Sequence, residues 1–349
     1  MNRRVAVVLC AAAAIACGGS KTGTTRATIP PGATLRVAAE SLSSAGLIRS
    51  SILFRIYAKT RGGARSVRPG TYALPRDIGW NGILDALTTG KGLVHIVTIP
   101  EGYSIPQIVR LMSTRLRVPP ESMEAAVRDT SWRRRFDIPS ASLEGYLFPD
   151  TYTLAEGATA RDAVALMAKR FELAWKREWT GRLDTIGLSR HDVLSLASIV
   201  EKEAKLPEER PVIAGVYLNR LRDGMLLQAD PTVQYALPNH VARLMYKDLR
   251  VKSDYNTYIH RGLPPGPIAS PGVPSIIAAL YPANVPYKYF VAFPDGHHEF
   301  TPTVRKHEVA VKASRKAWAA YYVLHPTEPS TIPAGSVATS PARKRKAGR

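Results

Sequence analysis

Cysteine is nearly absent from this chain. Its two cysteines, Cys10 and Cys17, both lie near the start, so the body can build neither a disulfide framework nor a Cys-ligated zinc site. Histidine does not replace them, because His297, His298 and His307 lack the spacing of ordinary zinc ligands. The reading therefore requires no metal and no cofactor. A long apolar run is also missing. The stretch from Val5 to Cys17 has 13 residues, short of the roughly twenty that a spanning helix needs. Acid is scarce as well: 28 Asp and Glu face 48 Lys and Arg, for a formal charge of +20. Setting aside the last 23 residues and the two N-terminal arginines still leaves +14 on the body, which suggests an anionic partner. Nucleic acid is the obvious class, yet no helix-turn-helix, zinc-finger or RNP-type pattern is present, so none is expected.

The ends have signatures of their own. Arg3 and Arg4 precede the short apolar run, which closes in Ala16-Cys17-Gly18-Gly19. This resembles a lipoprotein signal peptide over 1–17, with cleavage before Cys17 and a lipid on it; the alternative is a short uncleaved anchor. Either way the body is expected outside the cytoplasmic membrane and attached to it, most simply at the periplasmic face of an inner membrane. Anionic lipid headgroups or wall carboxylates then suit the basic body better than nucleic acid. Residues 18–28 read as a linker. Residues 327–349, rich in Pro, Ser, Thr and Ala and carrying Arg343, Lys344, Arg345 and Lys346, read as a disordered basic tail.

The N-terminal half contains a weak repeat. IPPGATLRVAAESL from Ile29, LPRDIGWNGILDAL from Leu74 and IPEGYSIPQIVRLM from Ile99 each give an apolar residue, Pro, a turn and an amphipathic helix. Thr34 and Ser104 are placed as N-caps, and Pro106 falls in a first turn. VRPGTYAL and LVHIVTIP read as strands between them. Residues 119–136 read as a charged helical region. ARDAVALMAKRFELAWKREW reads as one amphipathic helix with Ala163, Leu166, Met167, Phe171 and Trp175 inward.

Chemistry concentrates between Leu194 and Gly272. HDVLSLASIVEKEA is apolar around nearly its whole circumference, which marks a buried helix, and it ends in Glu201. Glu201 shares a face with Leu194 and Ser198. A carboxylate there loses hydration, which favours the protonated form that a general acid needs. The competing reading is a helix-end charge paired with a nearby arginine. Glu203, two residues on, points to another side, so the two acids cannot face one another. The next helix, PEERPVIAGVYLNRLRDGM, has Glu208 and Glu209 at its start, Arg220 and Arg222 in its last turn and Gly224 at C′. Asn219, a poor mid-helix residue, is a candidate to aim into a cleft. Gln228, Asp230, Tyr255 and Asn256 lie in polar loops suited to a sugar chain, with scaffolding as the alternative role for each. GLPPGPIASPG can be neither helix nor central strand; it is a linker or a rigid wall, and its flanks favour the wall.

ASIVEKEA, YLNRL–GM–LQADPTV, YNTY–GLPPGPIASPG, the closing YFVA–HEF–H and the upstream EGYLFPDTY resemble the endolytic murein transglycosylase (YceG-like) family over about residues 29 to 325. The resemblance implies an α+β protein, with a small LysM-like α/β module over 29–98 and a mixed α+β catalytic domain over 99–326. It implies non-hydrolytic cleavage inside nascent peptidoglycan strands, between N-acetylmuramic acid and N-acetylglucosamine, leaving a 1,6-anhydro end and terminating elongation. It places the catalytic acid at Glu201. Glu144, Asp150, Asn219, Gln228, Asp230, Tyr255 and Asn256 are the candidate sugar contacts, with buried scaffolding as the alternative for Glu144 and Asp150 as for the loop residues. Glycan strands and peptidoglycan synthases are the partners the resemblance implies. A lytic enzyme of this kind needs one acid rather than a facing pair. The alternative is a cell-envelope protein that binds peptidoglycan without cleaving it.

Overall fold

A computed structural model describes residues 23–62, 67–242 and 244–325 of the 349-residue chain. Cys17, the apolar run and the basic tail lie outside the described residues. The described chain falls into two compact units, dividing between His95 and Ile96; the sequence placed the boundary at 98/99.

The first unit follows from its repeat. β1 (Thr24–Ile29) runs into Pro30 and α1 (Leu35–Ser44), capped by the Thr34 hydroxyl, which accepts from Val37 N–H at 3.4 Å. α2 (Ser51–Thr60) follows, capped by Ser50. β2 (Gly70–Pro75) pairs antiparallel with β1, from Ile29 opposite Gly70 to Thr24 opposite Pro75. α3 (Trp80–Thr89) then leads to β3 (Leu93–Thr98), whose first residues pair with β2. The core gathers Ile29, Leu42, Phe54, Tyr72, Ile83 and Leu87. α2 was not distinguished in the sequence.

The second unit starts within β3. Pro100 and the Ser104–Gln107 capping box open α4 (Ile105–Leu116), with Pro106 in its first turn. The charged stretch divides into α5 (Pro120–Arg128) and α6 (Thr130–Arg135), and the Asp129 carboxylate caps the second. β4 (Thr151–Ala155) meets the end of β3 through Ile99 N–H to Asp150 O, 2.9 Å. The expected single helix over 160–179 is two: α7 (Ala160–Ala174) ends at Trp175, whose backbone turns extended, and α8 (Arg177–Ile186) resumes. Ala163, Met167 and Phe171 face the core as expected, but Leu166 is 37% exposed, because the buried stripe runs along its neighbours' side of α7.

α9 (Arg190–Glu203) is the axis of this unit. A Ser189–Asp192 capping box starts it, and every residue from Val193 to Val200 is buried. It packs against α10 (Arg210–Arg222), α11 (Asp230–Ala236) and α12 (Val273–Leu280). Burial on all sides is what its apolar circumference requires. β5 (Tyr289–Ala292) and β6 (His298–Thr301) form a hairpin that α13 (Val304–Leu324) covers. Among the described residues no helix is long and apolar enough to cross a membrane.

Candidate active site

The last turn of α9 presents its two acids to different surroundings. Glu201 Oε2 accepts from the Ser275 hydroxyl at 2.6 Å and from Gly272 N–H at 3.2 Å, and its Oε1 lies 3.9 Å from the Arg210 guanidinium. Arg210 also donates to the Ser275 hydroxyl at 3.1 Å. This seam holds the N-terminus of α12, and the Glu201 side chain in it is only 9% exposed. The arginine-paired reading of Glu201 thus has its partner in Arg210. Glu101, which the sequence did not single out, belongs to the same seam. Burial, with the Glu201 charge adding and Arg210 opposing, pushes its carboxyl above the usual range. A Cβ on Gly272 would lie 2.0 Å from a Glu101 oxygen, so glycine lets that carboxylate rest against the turn. The available signal was the repeat itself, whose third turn reads IPEG where the first reads IPPG.

Glu203 faces a cleft of about 930 Å³ that Glu201 does not line. Asp230, Gln234, Tyr235, Arg110 and His298 are among its walls. The Tyr217 hydroxyl donates to Glu203 Oε1 at 2.7 Å. Burial pushes the Glu203 carboxyl up to about 8; the Tyr217 hydrogen bond pulls it back and the Asp230 charge adds to the rise. Burial likewise lifts Asp230 to about 7, against the hydrogen bond that its Oδ1 accepts from Tyr258. Two acids that favour protonation near neutrality therefore share one cleft. α11 carries Asp230 into the space that Glu203 faces, giving that acid a carboxylate neighbour that sequence spacing does not reveal.

Loops fix these walls. Ala229 N–H donates to the Thr257 hydroxyl (3.0 Å) and Gln228 N–H to the Thr257 carbonyl (3.0 Å), while the two hydroxyls of Thr232 and Thr257 lie 2.9 Å apart. Gln228 has a left-handed φ of 53°, a costly conformation for a non-glycine residue that its surroundings must hold. The Pro-rich segment is a wall: Ile268 N–H donates to the Ser198 hydroxyl (3.0 Å), and His191 joins the Pro265 carbonyl (2.9 Å) to the Tyr146 hydroxyl (2.8 Å). Gly145, at φ 82°, allows Pro267 to approach; a Cβ there would sit 2.6 Å from that ring.

Other expected sugar contacts turn inward. Glu144 is buried and accepts from Ile105 N–H at 3.1 and 3.0 Å and from the Tyr235 hydroxyl at 3.2 Å, capping α4; burial lifts it to about 7. Asp150 pairs with Arg170, which holds its carboxyl below the usual range. The Asn219 amide donates to the Val285 and Tyr287 carbonyls at 2.7 and 2.9 Å, and does not line the cleft. Asn256 is fully buried, donating to Leu249 and Val251 carbonyls and accepting from Tyr258 N–H. The Tyr255 ring lies 4.8 Å from that of the cleft residue Tyr235, tilted by 48° to it. Arg220 is no exposed complement to a helix dipole; it is buried, and its guanidinium serves the carbonyls of Leu226, Leu227 and Lys288. Glu209 at the start of α10 accepts from the His298 backbone (2.8 Å) and ring Nδ1 (2.6 Å), presenting that imidazole at the cleft.

Comparison with known proteins agrees with this architecture. The YceG-like family matches residues 27–313. An endolytic murein transglycosylase of Bacillus subtilis is 34% identical over 83% of this chain and 84% of its own length. One from Streptococcus pneumoniae is 28% identical over 76% of this chain and 53% of its own length. The 2.6 Å crystal structure of a yceG-like protein from Listeria monocytogenes superposes with a TM-score of 0.60, at 31% identity, over 82% of this chain and 98% of that one.

Proposed function

The chain belongs to the YceG-like family, and from that premise we propose that it is an endolytic murein transglycosylase whose proton donor is Glu203 rather than Glu201. The observation that carries this is the Glu203 carboxyl, favoured in its protonated form near neutrality, at the wall of the cleft. Glu201 is committed to Gly272, Ser275 and Arg210 and braces the seam at the N-terminus of α12.

The chemistry balances without water. Glu203 gives its proton to the oxygen joining N-acetylmuramic acid to N-acetylglucosamine, and the bond from that oxygen to the muramoyl C1 breaks. Positive charge develops at C1, beside the Asp230 carboxyl. The muramoyl C6 hydroxyl closes on C1 and its proton passes to the Glu203 carboxylate, restoring the acid. Because the nucleophile belongs to the same ring, proximity replaces a positioned water. Cutting within a nascent strand leaves a 1,6-anhydro end and stops its growth. Asp230 is the described candidate for the sugar side, with Gln228 and Tyr255 shaping the loops around it. The first unit, with its β1–α1–α2–β2 order, supports the LysM-like reading.

The substrate places the protein in the cell envelope. Attachment to the membrane through a lipid on Cys17, and contact with peptidoglycan synthases, extend the same proposal. A Cys17→Ser substitution that leaves the membrane fraction unchanged would rule out the lipid. Reaction with nascent strands in ¹⁸O-labelled water tests the chemistry: unlabelled anhydro ends are expected. Label at the new muramoyl terminus would mean that Asp230 recruits water as the second carboxylate of a hydrolase.

A further inference from the structure

Among the described residues nothing covers one face of α2. Ile52, Leu53 and Ile56 are 64%, 57% and 56% exposed, while Phe54 and Ala58 on the opposite side of the helix are fully buried. At 100° per residue the three exposed aliphatics form one ridge. Arg55 and Lys59 flank it on one side; Tyr57 flanks it on the other, with the Arg61 guanidinium 5.8 Å from that ring. The chain on either side of the ridge carries charge of one sign. Residues 41–76 hold seven Lys and Arg and no Asp or Glu. An aliphatic ridge edged by cations and a tyrosine is the composition of a helix that lies in a membrane interface.

We propose that this face of the first unit docks on the anionic headgroup surface of a bilayer, with Ile52, Leu53 and Ile56 inserted and Arg55, Lys59 and Arg61 against phosphates. Charge complementarity selects lipid over a second copy of the chain, since two such faces would repel each other. Chain length agrees: only six residues lie between Cys17 and Thr24, a reach of at most about 25 Å, so an anchor at Cys17 would hold this unit beside the membrane. Docking would fix the unit at the surface where nascent strands emerge, and it does not depend on which acid in the second unit is the proton donor.

The test uses the chain from Gly18 to Arg349, which keeps both folded units and has no acyl group. Its sedimentation with phosphatidylcholine vesicles, with and without phosphatidylglycerol, separates the terms. Wild type is expected to prefer the anionic vesicles and to keep part of its binding at about 1 M salt, where the Debye length is about 3 Å and the basic tail is screened. I52S/L53S/I56S is expected to bind about tenfold more weakly and to lose the salt-resistant part. R55E/K59E is expected to lose most of the preference for anionic lipid. Helical circular dichroism and cleavage of soluble strands should match wild type in both variants. Equal salt-resistant binding by wild type and I52S/L53S/I56S would overturn the proposal. So would a wild-type dimer that I52S/L53S/I56S dissolves with no change in vesicle binding, since the face would then be a self-interface.

Discussion

Two regions meet at the last turn of α9 and treat a glutamate in opposite ways. In the seam at Gly272, Glu201 Oε2 accepts from Gly272 N–H and the Ser275 hydroxyl, Oε1 lies 3.9 Å from Arg210, and Glu101 is an acidic neighbour. At the cleft, Glu203 has one phenol and an acidic neighbour, Asp230; burial dominates and the proton is held. The same side chain two residues apart becomes a brace in one place and an acid in the other. Environment, rather than residue type, assigns the role.

The largest expected effect tests that assignment. Glu203→Gln should lower the release of anhydro-muropeptides by about 10²–10⁴-fold, the range that a general acid contributes. Glu201→Gln should cost far less turnover, within about tenfold, but should destabilise the fold by about 1–3 kcal/mol by leaving Arg210 without its charge partner. Chemical denaturation alongside the assay separates the two, and the reverse ranking would return the acid to Glu201.

A finer test tunes Glu203 from either side. Tyr217→Phe removes the hydrogen bond that lowers its pKa, so the alkaline limb of the pH–rate profile should move up. Asp230→Asn removes the charge that raises it, so that limb should move down. Shifts in the same direction in both variants would show that another group sets the limb.

Stability should follow pH in the same cleft. Glu203, Asp230 and Glu144 hold protons in the fold up to about 8, 7 and 7, against 4.5, 3.8 and 4.5 for the unconstrained groups. Below the lower values both states are protonated and the groups contribute nothing. Between the two sets the folded chain binds more protons than the unfolded one, so stability declines as pH rises, and above about 8 the full cost is present. The melting temperature should therefore fall from pH 5 to pH 9. Glu203→Gln should flatten the fall and melt a few degrees above wild type at the alkaline end. An unchanged slope in that variant would mean that Glu203 is ionised in the fold throughout.

The smallest effect probes the seam. Gly272→Ala places a methyl against the Glu101 carboxylate, which ends a flexible side chain and can swing aside. A loss of about 1 kcal/mol is expected, with turnover nearly intact. A loss as large as that of Glu201→Gln would show that Glu101 is fixed in place as firmly as its neighbour.

Much of this was legible in the sequence because it is local. The Pro-turn-helix repeat, the Thr34 and Ser104 caps, the apolar circumference of α9 and the left-handed Gly224 all follow from short-range sterics and hydrogen bonding, which the residue order encodes directly. The family motifs were legible for the same reason, as were the two acids closing the buried helix. Their division of labour was not. Glu201 and Glu203 sit two positions apart, and sequence spacing says only that they point differently. Arg210, Gly272 and Ser275 engage the one, while burial, helped by the Asp230 charge and opposed by the Tyr217 hydrogen bond, raises the pKa of the other. Those partners come from other helices and loops, up to 74 positions away. Tertiary packing alone decides that the Glu203 carboxyl is held protonated, because desolvation and charge depend on neighbours in space.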